Sequence, residues 1–191
     1  MNIRKCQQNL AAGLAAARFT APESSYLGKT ARTIHGMASA YESDGLAFCA
    51  GGDPVNGLAG FFYGFGWLHF GYAYGAFGTF IETACPFTGG CDTLPSEYRE
   101  KLEEKALRYR RLLDTARISV SPGPDPATFS FVFSERVLCI SGLYSRQGSV
   151  FLESGRFEDA LACFSYGHGW LDAAVTAGLY RITGERDLFT V

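Results

Sequence analysis

The sequence predicts an all-α protein, two tandem three-helix units packed as a pseudo-two-fold symmetric helical bundle. Three observations predict it. The chain matches itself without a gap at an offset of 103 residues. Apolar and small residues recur at helical spacing in both copies. Gly and Pro clusters separate the helical runs, and no alternating strand pattern of useful length occurs.

The repeat is the strongest signal. Between Tyr41 and Phe77, 13 of 37 positions are identical to their counterparts 103 residues on. Chance would give about two or three. Tyr41, Gly45, Phe48 and Gly52 meet Tyr144, Gly148, Phe151 and Gly155. Tyr63-Gly64 and Gly66-Trp67-Leu68 meet Tyr166-Gly167 and Gly169-Trp170-Leu171. The implied division is a first repeat over 1–84, a linker over 85–95 and a second repeat over 96–191.

Each repeat opens with an amphipathic helix. In the first, Ile3, Cys6, Leu10, Leu14 and Ala17 form its apolar stripe. In the second, the stripe is Tyr98, Leu102, Ala106, Tyr109, Leu113 and Ala116, with charges filling the rest. Gly and Pro signals at Thr20–Ser24, Cys85–Pro95 and Ser119–Pro126 separate the elements. TFSFVF, from Thr128 to Phe133, is ambiguous between helix and strand.

A hairpin follows in each copy. Tyr41, Gly45, Phe48 and Gly52 lie on one face of its first helix, and the glycines let a neighbour approach closely. That helix should stop at Gly51-Gly52, where glycine takes the left-handed conformation. Asp53 then caps the next helix, with Pro54 at its first position. The second copy repeats the stop at Gly155 and restarts near Arg156.

From Pro54 to Ile81, 28 residues carry no formal charge, and ten are aromatic. Hydropathy alone suggests a membrane span. The second copy of this element carries Asp159, Asp172 and Arg181, so both are expected to be buried helices of a soluble bundle, with no membrane partner. Gly57, Gly64, Gly71 and Gly78 recur every seven residues, and Ala160, Gly167 and Ala174 occupy the same stripe in the second copy. Each helical glycine costs about 1 kcal/mol against alanine, and close packing would offset that cost. The expectation is that helices 54–81 and 157–183 cross along these stripes.

Composition excludes other classes. With 191 residues, 47% of them apolar, the chain can bury a core without disulfides. A net charge of -2, from 17 basic and 19 acidic residues, argues against a general nucleic-acid binder, and no DNA partner is expected. Gln7, Gln8 and Asn9 break the N-terminal apolar stretch, so no signal peptide is recognised and a cytoplasmic location is expected.

The second hairpin resembles the archaeal family catalogued as domain of unknown function 357. The match is Ser165-Tyr166-Gly167-His168-Gly169-Trp170-Leu171-Asp172-Ala173-Ala174, preceded by Tyr144 and the glycine-terminated helix. The first copy matches more loosely through Phe62-Tyr63-Gly64-Phe65-Gly66-Trp67-Leu68, with His69 in place of the acid. The resemblance implies an archaeal cytoplasmic helical protein. It carries over no catalytic residue. The doubling departs from the family's single-unit pattern and implies an internal pseudo-dimer.

No nucleophile elbow, phosphate loop or catalytic constellation is present, and no cofactor is expected. The polar residues of the repeated core are the pocket candidates: Tyr63, Trp67, His69, Tyr166, Trp170 and Asp172, with Asp44 on the preceding helix. His69 and Asp172 occupy equivalent places, and pseudo-symmetry would bring them together as an oriented base. The plainer reading is buried hydrogen bonding, with the Tyr and Trp polar tips satisfied by backbone or water. Cys85 and Cys91 make at most half a metal site. His35, His69 and His168 lack ligand spacing, so no metal is expected. Arg108, Arg110 and Arg111 are candidate surface contacts on a helix of mixed charge, which reads as a solvated face laced with i,i+4 pairs.

Three functions follow, in order of preference. The first is a non-enzymatic scaffold that binds a protein partner or self-associates. The second is a small-molecule binder or enzyme with a pocket between the repeats. The third is RNA binding through helix 97–117, which that helix's mixed charge disfavours.

Overall fold

Two helical hairpins are built by the same chain reversal. The protein is described by a computed structural model covering residues 2–78 and 94–191. In the first hairpin, α2 (Tyr26–Ala50) is followed by α3 (Pro54–Ala73); in the second, α5 (Phe129–Glu153) is followed by α6 (Phe157–Thr176). Gly52, at φ +80°, lets the Asp53 amide donate back to the Phe48 carbonyl at 2.8 Å. Gly155, at φ +69°, lets the Arg156 amide reach the Phe151 carbonyl at 2.9 Å. This is the Schellman closure expected of a glycine after a helix end. Asp53 then caps α3 by accepting from the Asn56 amide, with Pro54 opening the helix. α6 restarts after Arg156 without a side-chain cap.

The leading helices are α1 (Ile3–Ala16) and α4 (Arg99–Ile118), the latter entered through a 3-10 turn at Ser96–Tyr98. Their buried faces are Cys6, Leu10 and Leu14, and Leu102, Ala106, Leu113 and Ala116. The ambiguous TFSFVF segment is helical. Thr128 caps it by accepting from the Phe131 amide, and α5 runs on from Phe129. Each repeat also closes on a short antiparallel ladder. β1 (Arg18–Phe19) pairs with β2 (Phe77–Gly78), and β3 (Val120–Pro122) pairs with β4 (Tyr180–Ile182). Two or three residues are too few to show alternation, so these strands leave no sequence signal. They also end α3 and α6 earlier than the charge-free run suggests, at Ala73 and Thr176.

α3 and α6 form the centre and pack directly on each other. Phe61, Phe62, Phe65, Trp67, Phe70 and Phe164 are fully buried there. Each such side chain contributes about 1.5–3 kcal/mol. Among the described residues no helix is long and apolar enough to cross a membrane.

The crossing point differs from the expected glycine stripes. It lies at Gly66 and Gly169, which are themselves related by the repeat. A Cβ on Gly66 would sit 2.9 Å from the Gly169 Cα and 2.5 Å from the Tyr166 carbonyl oxygen. A Cβ on Gly169 would collide with the Tyr63 carbonyl oxygen. The heptad glycines face inward within their own repeat. Gly57 and Gly60 lie against Cys49, Gly45 and Tyr41 of α2. Gly64 lies against Leu10 of α1 and Ala38 of α2, and Gly167 lies against Leu113 of α4 and Ser141 of α5. The stripes therefore seat the hairpins and the leading helices, and a separate glycine pair seats the two repeats. Gly45 and Gly148 make room for the rings of Phe61 and Phe164, which accounts for both repeated pairs.

Candidate functional site

The Gly66–Gly169 contact brings the two copies of α3 and α6 close enough for side chains to exchange partners. Tyr63 of the first repeat donates to Asp172 Oδ2 of the second at 2.9 Å. Tyr166 of the second repeat meets His69 Nδ1 of the first at 2.9 Å. Tyr63 and Tyr166 are repeat equivalents, as are His69 and Asp172. His69 and Asp172 thus each take the opposite tyrosine, and the oriented His–Asp base does not form.

Burial governs the electrostatics. It holds His69 and His168 neutral, with pKa values pushed down to about 4. It raises Asp172 despite hydrogen bonds that favour the carboxylate, and holds Tyr63 well above the usual phenol range. Trp67 and Trp170 are packed in the same core, where Trp170 meets Phe70 edge-on with ring centroids 5.9 Å apart. Among the described residues neither indole N–H has a protein hydrogen-bond partner, whereas both tyrosine hydroxyls do. Asp44 is exposed on α2, and its repeat equivalent Gln147 is exposed on α5. The helical phase that buries Gly45 turns its neighbour outward, so Asp44 leaves the candidate pocket.

A feature without sequence signal lies over Asp172. The last residues fold back as a strap. Thr190 donates its amide to Asp172 Oδ1 at 3.0 Å and its hydroxyl to Oδ2 at 2.9 Å. His168 Nε2 lies 2.9 Å from the Leu188 carbonyl oxygen, so the neutral ring donates there. Phe189 is buried. Beside the strap, an open cleft of about 250 Å³ lies between the repeats, lined chiefly by Tyr41, Gly60, Tyr63, Tyr109, His168 and residues 187–190. Of the candidate pocket residues, Tyr63 alone lines it.

Arg108 and Arg111 are exposed on α4, and Arg110 is half-buried. Among the described residues the ion pairs of this helix are Lys101–Asp53 at 2.8 Å and Arg117–Asp114 at 4.0 Å, and neither has i,i+4 spacing. No group of three or more His, Cys, Asp or Glu among the described residues could hold a metal. Cys85 and Cys91, with most of the 85–95 linker, lie outside the described residues.

The model of the family described as a protein of unknown function (DUF357) matches the chain twice, over residues 5–77 and 108–180. Both bounds are offset by 103 residues, the period of the repeat. The chain belongs to the DUF357 family. It is a tandem pair of DUF357 units, each contributing three helices. The matched segments end on the short ladders and span the hairpin of each repeat, with most of α1 and the second half of α4. No curated protein and no solved structure is significantly similar to the chain.

Proposed function

We propose that this tandem DUF357 protein is a non-enzymatic helical interaction module that self-associates through the outer face of α5. One observation carries the reading. α5 exposes Phe129, Val132, Leu143 and Val150, each more than half open to solvent. Val132 and Cys139 are one heptad apart, as are Leu143 and Val150, so they form a single stripe along the helix. Exposed contiguous apolar surface on a soluble helix marks a contact site.

A second copy is the occupant that fits. Antiparallel α5 helices about a two-fold axis would pair Val132 with Val150 of the second copy and Cys139 with Leu143. The same register places Glu135 beside Arg146 of the second copy and offsets the meeting of Arg136 with Arg146. Two-fold pairing of one surface with itself is the commonest way chains associate. The engagement of Tyr63, His69, Tyr166 and Asp172 in two packed pairs supports a structural role for the polar core. The free thiols of Cys6, Cys49, Cys139 and Cys163 support a reducing cytoplasm, and the family resemblance supports an archaeal source.

Sedimentation equilibrium tests this reading. The wild-type chain should show a concentration-dependent dimer, and Leu143→Glu should shift it to monomer without loss of helical signal. A wild-type chain that stays monomeric across the micromolar range refutes it.

A further inference from the structure

The cleft between the repeats has a chemistry that the interaction surface does not use, and no residue of α5 lines it. Its walls are largely aromatic, with Asp187 the charged residue among those that line it. The rings of Tyr41 and Tyr63 lie 4.5 Å apart at their centroids, and His168 meets Tyr63 at 5.3 Å. These groups are held in place. Tyr63 is tied to Asp172, and His168 to the strap. Tyr109 and Leu112 bring α4 to the other side.

Next to the Tyr109 wall, α4 carries two cations. Lys105 Nζ lies over the Tyr109 ring, 5.4 Å from its centroid. Arg108 follows three residues later, on the same face of α4. Neither makes an ion pair among the described residues. Lys105 is half-buried, and its ammonium is held below the usual lysine range by burial and then by the charge of Arg108. Asp53 and Glu104 act on Lys105 in the opposite sense without cancelling that shift. Two like charges in close company gain from an anion placed between them. Asp187, the acidic residue of the lining, sits on the strap across the cleft and can accept from a ring amino group or a hydroxyl.

We propose that the inter-repeat cleft binds a planar aromatic ring bearing a phosphate, of mononucleotide size, with the ring among Tyr41, Tyr63 and Tyr109 and the phosphate on Lys105 and Arg108. A volume of about 250 Å³ lies below the usual range for ligand sites, so the cleft takes one ring and leaves the phosphate at the mouth. Stacking on tyrosine is tolerant of which ring is offered. Specificity would come from the polar rim, where Asp187 and the Thr190 hydroxyl lie.

Titration of the full chain by calorimetry, with amide chemical-shift mapping, tests the assignment. The probes are adenosine monophosphate, phenyl phosphate, adenosine and inorganic phosphate. The two ring phosphates should bind and shift the amides of Gly60, Tyr109 and Leu188. Adenosine and inorganic phosphate should each bind about tenfold more weakly or worse. Tyr109→Leu and Arg108→Gln should each weaken phenyl phosphate by about tenfold. Arg108 is exposed, so its variant remains informative even if Tyr109→Leu does not fold. No binding of either ring phosphate at millimolar concentration overturns the proposal. So does binding untouched by Arg108→Gln. RNA retained in a salt-dependent way, with no mononucleotide bound, also overturns it and leaves Arg108 to a surface contact.

Discussion

Tyr63 on α3 and Asp172 on α6 are joined by a hydrogen bond of 2.9 Å that crosses from one repeat to the other. The two positions are not repeat equivalents. The contact is one of two that the pseudo-two-fold axis generates, and its mate is Tyr166 with His69. The strap covers the Asp172 side of this arrangement. Asp172 accepts from Tyr63, from the Thr190 amide and from the Thr190 hydroxyl. Tyr63→Phe removes one of these donors and keeps the ring. It should cost about 2 kcal/mol, the usual contribution of a hydrogen bond to a charged acceptor. At this chain length that is a fall of about 4–8 °C in melting temperature. Calorimetry of the variant measures it, and an unchanged melting temperature would show that the bond contributes nothing.

The glycines separate into classes that substitution can tell apart. Gly66→Ala and Gly169→Ala each drive a methyl into backbone of the opposing helix, where no side chain can give way. Each should cost more than about 3 kcal/mol, beyond ordinary overpacking. Gly36 lies on the outer face of α2, and a methyl group there would have nothing within 4 Å among the described residues. Gly36→Ala should stabilise by about 0.5–1 kcal/mol, because alanine is the better helix former. Gly52→Ala meets no neighbour but sits at φ +80° and should cost about 1–2 kcal/mol. Urea unfolding should therefore find the crossing variants least stable, the turn variant next and the open-face variant most stable. Equal costs would remove the distinction between a crossing, a turn and an open face.

Much of this architecture is legible because the repeat shows which residues to compare. The Gly45–Phe61 and Gly148–Phe164 contacts explain identities visible in the sequence. So do the turns at Gly52 and Gly155. Leu10 and Leu113 fall on the apolar stripes of the leading helices, and the structure sets both on the repeated Gly64 and Gly167. The seam is not legible. Gly66 and Gly169 are a single pair, and one pair makes no stripe. The heptad glycines mark the contacts within each repeat instead. The strap is invisible for a related reason. Thr190 and Leu188 act largely through one amide and one carbonyl, groups that almost every residue carries, and the Thr190 hydroxyl adds a single polar atom with no pattern around it. His69 and Asp172 are equivalent in the sequence, but equivalence about a two-fold axis brings each to the partner of the other.

Acid should destabilise the fold through its two buried histidines. His69 and His168 have folded pKa values of about 4, against 6.5 for a free imidazole. Above pH 6.5 both states are neutral at these positions. Below it the unfolded chain takes up protons that the folded chain refuses. Stability is therefore lost as pH falls from 6.5 to about 4, by up to about 1.4 kcal/mol per pH unit for each histidine. Asp172 acts in the opposite sense. Burial raises its pKa, so the folded state takes its proton before the unfolded state does, and stability recovers as pH falls through that raised value. Urea unfolding at a series of pH values should give a positive slope of stability on pH across this window. His168→Gln should reduce the slope by about one proton's worth while the Gln amide still donates to the Leu188 carbonyl. An identical slope in the variant would mean that His168 titrates normally.

The strap should behave as part of the core, and Phe189 is the residue that decides it. Its side chain is buried, and its ring meets His168 edge-on at 6.4 Å. Its neighbours Leu188 and Thr190 supply the carbonyl and the donors that satisfy His168 and Asp172. Phe189→Ala removes the apolar anchor while leaving those polar groups in the chain. If the anchor holds the strap down, its loss should cost about 3 kcal/mol and expose Asp172 to water. The Thr190 amide would then exchange with solvent faster than the amides of α6, and the Asp172 pKa would fall toward the usual carboxylate value. If the hydrogen bonds alone hold the strap, Thr190 should keep its protection in the variant. Hydrogen exchange at that one amide separates the two cases, and retained protection would refute the anchoring role of Phe189.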